Sequence, residues 1–150
     1  MITYYDFVKE SNAIEGIHRE PTQQEIDELI RFVSLDKITL EDMKLFLSIY
    51  QPEALLRDQY GMNVRIGKYY PPFGDPRMTE FVDRLLSRNY DSYDLHCQYE
   101  KLHPFTDGNG RLGRALWLWR RKGMSLGFLH AFYYQTLERF SQRGSNKWIL

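Results

Sequence analysis

The sequence predicts a single, mostly α-helical domain with one small β-hairpin. Three observations carry this expectation. A chain of 150 residues buries one core without disulfides or a structural metal. Apolar residues recur at three- and four-residue spacing along most of it. Short stops of Gly, Pro and capping residues separate those stretches, and strand-like alternation is confined to one segment.

The first helix is expected over 4–15, ending at Gly16, a residue suited to the left-handed position just past a helix. Thr22 and Glu25 have capping-box spacing, and Ile26, Leu29, Ile30 and Val33 supply the inward stripe of a second helix. Thr39 and Asp42 repeat that arrangement. The third helix then carries Met43, Phe46, Leu47 and Tyr50 inward until Pro52 stops it. In 57–72, Gly61-Met62-Asn63 offers a turn while Val64 and Ile66 alternate with polar residues, the pattern of a hairpin. Asp75-Pro76 opens a fourth helix with Phe81, Val82, Leu85 and Leu86 facing inward, and a fifth covers 92–102. A helix over 109–122 follows the loop 103–108, and Leu129, Phe132, Tyr133, Leu137 and Phe140 mark a last one.

Composition limits the partners. Twenty basic residues balance twenty acidic ones, so no overall field draws the chain to nucleic acid or to an anionic membrane, and any anion site must be local. No apolar run approaches the roughly 18 to 20 residues that cross a bilayer. The single Cys97 has no internal disulfide partner. With no leader pattern expected at the N-terminus, this predicts a soluble protein of the reducing cytoplasm, with Cys97 a small core residue. Neither zinc-finger nor HExxH spacing occurs, so no transition metal is expected.

The chemistry is concentrated in His103-Pro104-Phe105-Thr106-Asp107-Gly108-Asn109-Gly110-Arg111-Leu112-Gly113-Arg114. Gly108 and Gly110 flank Asn109 where the sixth helix begins, and glycine lets backbone N–H groups approach a ligand closely. The unpaired N–H groups of a helix start bind anions. Arg111 and Arg114 share a face near that end, where the helix dipole disfavours cations, so an anion of several charges is the expected occupant. Leu112, Leu116 and Trp119 form the inward stripe, and Gly113 permits another helix to pack closely. Asp107 is a hard oxygen ligand suited to Mg2+ beside phosphates. His103, neutral at physiological pH, can accept a proton from an attacking hydroxyl. GxxxxGK[ST] is absent, so this is not a P-loop.

These twelve residues match every specified position of HxFx(D/E)GNGRxxR and so resemble the signature of the Fic family; the helical layout from about Thr22 to Phe140 is similar as well. The resemblance implies a Fic-type helical bundle with a β-hairpin flap, forming one domain over 1–150. It implies transfer of AMP from Mg-ATP to a Ser, Thr or Tyr hydroxyl of a target protein, with self-modification included and the oligomeric state open. By the same resemblance His103 is the general base, Asp107 the Mg2+ ligand and Phe105 the anchor of the loop. Gly108, Asn109 and Gly110 form the anion hole, Arg111 steadies the phosphates and Arg114 holds the γ-phosphate. Relatives that phosphorylate their targets carry lysine where this chain has Gly110, so the family pattern here implies AMP transfer.

Two further segments resemble the family. Asn63, Val64, Arg65 and Ile66, with Tyr70-Pro71-Pro72, resemble the flap over 57–72 that registers the target's backbone. Ser11 to Gly16 matches (S/T)xxxE(G/N), the inhibitory motif of the subgroup restrained by its own N-terminus, here residues 1–16. In that motif Glu15 pairs with Arg114, in a bidentate geometry if the fork is fully used, and keeps the γ-phosphate out. Ile17 departs from the asparagine often found after the glycine. Two alternatives stay open: a hydrolase that removes AMP using Glu15 to place water, and a catalytically silent binding module.

Overall fold

The computed structural model describes residues 3–122 of the chain. Six helices follow one another: α1 (Tyr4–Ile14), α2 (Gln23–Val33), α3 (Leu40–Tyr50), α4 (Met78–Ser87), α5 (Ser92–Leu102) and α6 (Asn109–Arg121). The last helix expected from the sequence, marked by Leu129 to Phe140, lies outside the described residues.

Local chemistry accounts for most helix starts. Thr3, Thr22 and Thr39 cap α1, α2 and α3, each in a reciprocal capping box with Asp6, Glu25 and Asp42 respectively. Asp91 caps α5 by accepting from the Asp94 N–H. Helix α4 begins later than expected: Asp75 spends its carboxylate on the Arg77 backbone N–H at 2.8 Å and on the Arg77 guanidinium at 2.9 Å. That local turn occupies the chain until Arg77, which starts the helix without a side-chain cap.

Helix α6 is the hub. It packs against α5 most intimately and also against α1, α2 and α3, while α4 rests on α3 and α5. Leu112, Ala115 and Leu116 are fully buried there. Gly113 is needed because a β-carbon would collide with the Glu100 carboxylate and lie 3.2 Å from the Tyr99 ring, so α5 and α6 approach at a bare backbone. On α2, Leu29 and Phe32 face the core but Ile30 is 39 % exposed, contrary to expectation. At 100° per residue, Ile30 falls a quarter-turn outside the stripe centred on Glu25, Leu29 and Phe32. Cys97, the one cysteine of the sequence, is buried. Among the described residues no helix is long and apolar enough to cross a membrane.

The expected β-hairpin does not form. Over 57–72 the described residues contain no strand, only the isolated antiparallel bridge Ile66–Tyr69 around Gly67, which has φ +57°. Beyond it, Pro71 and Pro72 have no N–H to donate to a ladder. The segment is held instead by side chains: Asn63 Oδ1 accepts from the Gly74 N–H at 3.0 Å. A second bridge, Leu56–Phe105, ties its start to the loop 103–108.

Candidate active site

The loop between α5 and α6 is fixed from inside. Phe105 is buried, and Asn109 uses its side chain on the loop itself, donating to the Phe105 carbonyl at 2.7 Å and accepting from the Phe105 N–H and the Tyr99 hydroxyl. The Asn109 side chain is therefore committed to holding the loop. Gly108 caps α6 in the left-handed region, φ +76°, where a β-carbon would press Leu47 at 2.7 Å.

His103 ends α5 with left-handed backbone angles, φ 49° and ψ 60°. Its N–H donates to the Tyr99 carbonyl at 2.8 Å, and its own carbonyl accepts from Arg57 Nε at 2.7 Å. Burial pushes the imidazole down to about 4, and the Arg57 charge acts in the same direction; hydrogen bonding to the Glu100 backbone and the Asp107 carboxylate oppose it. His103 is thus neutral at physiological pH, as a base must be. Glu100 Oε2 lies 4.0 Å from its Nδ1. Burial raises the Glu100 carboxyl to about 8, with Arg114 pulling it down and Glu15 pushing it up.

A cavity of about 220 Å³ opens beside the start of α6. His103, Asp107, Gly108, Asn109 and Gly110 line it from the loop and helix, Glu15 from the end of α1, Glu100 from α5, and Arg65 and Ile66 from the 57–72 segment. Asn63 and Val64 are not part of this wall. Asp107 is exposed, with one carboxylate oxygen accepting from the Gly108 N–H at 2.8 Å. A hard, accessible carboxylate beside a helix start that attracts phosphate fits Mg2+, which takes one or two protein carboxylates and completes its shell from phosphates and water.

Neither motif arginine is a solvated surface cation: Arg111 is 4 % and Arg114 0 % exposed. Helix α1 engages both. Arg114 Nη2 reaches Glu15 Oε1 at 2.8 Å and the Ser11 carbonyl at 2.9 Å, and Arg114 Nε donates to Ser11 Oγ at 2.8 Å. Glu15 thus meets Arg114 through Nη2, while Ser11 takes the Nε–Nη2 edge of the guanidinium. Arg111 donates to Asn12 Oδ1 at 3.4 Å and to Gln51 Oε1 at 2.8 Å. Asn12 in turn donates to Glu25 on α2 at 3.3 Å. The Glu15 carboxylate sits where a β-carbon on Gly110 would collide with it, at the N-terminal end of α6. A carboxylate thus lies against the N-terminal end of α6, the end where a helix dipole favours negative charge.

Sequence reasoning missed Arg57, Glu100, Asn12 and Gln51. Glu100 alone left a signal, a charged residue three positions before His103 and so close to it along the helix.

The helical bundle thus brings the glycines at the start of its central helix and the His103 imidazole to the wall of one small cavity. The model of the Fic/DOC family matches residues 32–119, more than half of the chain, and the chain belongs to that family. No curated protein and no solved structure matched in the corresponding comparisons. The match begins within α2, so α1, with Ser11 and Glu15, lies outside it.

Proposed function

We propose that this chain is a single Fic domain over 1–150 that transfers AMP from Mg-ATP to a hydroxyl of another protein, restrained by its own α1. The observation that carries this reading is the Glu15 carboxylate seated against Gly110 and bonded to Arg114, at the helix start where phosphates would lie. One anion in that cradle argues for another as its ligand, and its source on α1 argues for restraint.

In this reading the target's hydroxyl oxygen attacks the α-phosphorus of ATP, its proton passes to the neutral imidazole of His103, and pyrophosphate leaves. The backbone N–H groups of Asn109 and Gly110 would stabilise charge on the transferring phosphoryl, so catalysis rests on positioning and electrostatics. Asp107 would hold Mg2+, which supplies charge neutralisation to the phosphates when bound. Arg111 would steady the phosphates, and Arg114 would hold the γ-phosphate once the Glu15 carboxylate gives way. Arg65 and Ile66 on the cavity wall, with exposed Tyr60, Tyr70 and Phe73 around the same segment, support a protein as acceptor. The buried lone thiol suits a reducing cytoplasmic setting.

The test is incubation of cell lysate with the Glu15→Gly protein, Mg2+ and ATP labelled on the α-phosphate, followed by intact-protein mass spectrometry. Proteins heavier by one AMP are expected; label absent from every protein, the enzyme included, would sink the proposal. A second reading, hydrolytic removal of AMP, draws on Glu15 and His103 lining one cavity. It predicts loss of AMP from a modified target with metal and no ATP.

A further inference from the structure

Arg57 is completely buried, and among the described residues no carboxylate pairs with it. Its guanidinium donates to four backbone carbonyls instead. Nε reaches His103 at 2.7 Å and Nη2 reaches Leu102 at 2.9 Å, both at the end of α5. Nη1 reaches Met62 at 3.1 Å and Pro72 at 2.8 Å, at two separated points of the 57–72 segment. The residue's own backbone is held as well: its N–H donates to Pro104 at 2.8 Å, and its carbonyl accepts from Asp75 at 3.1 Å. Leu55 and Thr106 continue the seam, with the Leu55 N–H donating to Thr106 Oγ1 at 2.9 Å and the Thr106 N–H to the Leu55 carbonyl at 2.8 Å.

A buried cation satisfied by neutral carbonyls alone is a poor stabiliser, because an apolar side chain of the same volume would avoid its desolvation. What the guanidinium adds is direction, since its planar fork fixes several acceptors at once. One acceptor belongs to His103, whose left-handed backbone a residue with a β-carbon rarely adopts unless its surroundings hold it there. Two others hold the segment that brings Arg65 and Ile66 to the same cavity.

We propose that Arg57 is the positioning residue of this site, its guanidinium fixing the His103 backbone and the 57–72 segment in one register so that the imidazole and the acceptor-facing wall are set by a single side chain. For the acceptor this rests on the AMP-transfer reading; the geometry does not. The Arg57 charge also disfavours protonation of the imidazole. The other charged groups around His103 are Glu100 of α5 and Asp107 of the loop, with Glu15 of α1 and Arg65 on the same cavity wall.

The experiment compares full-length wild type, Arg57→Lys and Arg57→Met by ring NMR of His103, assigned by its loss in His103→Asn, and by hydrogen exchange of the Arg57-position, Asp75 and Thr106 amides. In the wild type these three amides are expected to open together with the His103 amide. Arg57→Lys, which keeps the charge but not the fork, is expected to lose at least about tenfold in their protection while the His103 titration stays in place. Arg57→Met is expected to lose protection and to move that titration upward by roughly one unit. Where AMP transfer is measurable, Arg57→Lys lowers kcat more than it raises the KM for ATP. Unchanged protection in Arg57→Lys, or an unmoved His103 titration in a folded Arg57→Met, overturns the proposal. Should neither variant fold, the wild type decides: Arg57 and Asp75 amides that open tenfold more readily than those of Thr106 and His103 refute a single register. Absence of AMP transfer in the wild type counts against the proposed function and leaves these readouts standing.

Discussion

Replacing Glu15 by glycine should release transfer activity, and the bond lengths set its scale. The proposed restraint rests on a charge-assisted bond, Glu15 Oε1 to Arg114 Nη2 at 2.8 Å. Bonds to charged groups contribute about 1.5–3 kcal/mol. The Glu15 side chain is 33 % exposed, so solvent screening places this one at the lower end, about 1.5 kcal/mol. At 1.4 kcal/mol per factor of ten, removing it raises the population of the ATP-competent arrangement about tenfold. Arg114 keeps its bonds to Ser11 Oγ and the Ser11 carbonyl, so α1 stays docked and the change reads the carboxylate alone. Glu15→Asp should relieve the restraint less, since its shorter side chain still reaches part of the way. Arg114→Ala should not mimic Glu15→Gly, because it removes the proposed γ-phosphate anchor along with the inhibitory partner. The assay is transfer of α-labelled AMP by wild type and the three variants at equal ATP, with circular dichroism as the check on folding. Equal transfer by wild type and a folded Glu15→Gly would refute α1 as a brake.

Three further outcomes follow from the same geometry. His103→Ala should lower transfer by ~10²- to 10⁴-fold, the usual loss on removing a general base, while ATP affinity measured by calorimetry stays near that of wild type. Asp107→Ala should lower activity at every Mg2+ concentration tried, and full rescue by excess metal would remove Asp107 from the coordination shell. Glu100 should make stability fall with rising pH: its folded-state pKa of about 8 lies above the ordinary 4.5, so its contribution is complete below about 4.5 and is lost as pH rises through 8. Glu100→Gln has no proton to lose, so thermal melts between pH 6 and 9 should show a shallower decline than wild type, and equal slopes would refute a carboxyl held neutral by burial.

Helices α2 and α3 were legible because their capping boxes and apolar periods are interactions between residues three and four apart. The hairpin failed because alternation in Val64 and Ile66 states a preference for strand, while Pro71 and Pro72 deny the partner strand its donors. The start of α4 failed for a related reason, since Asp75 had a nearer use for its carboxylate than capping a helix. At the site, the residues 103–114 could be placed from sequence because they are contiguous. The pairing of Glu15 with Arg114, 99 residues apart, entered through family resemblance and not through any local rule.

By itself the sequence determined the helical class, the glycine-framed start of α6 and the residue types gathered there, since each is written in spacings of a few positions. Only the tertiary structure decided that Asn109 locks its own loop, that α1 occupies both motif arginines, that burial pushes the His103 imidazole down to about 4 and that Arg57 spans two segments. Those properties depend on which surfaces meet and which groups lose water when they do, and desolvation belongs to the packed neighbourhood, not to any stretch of chain.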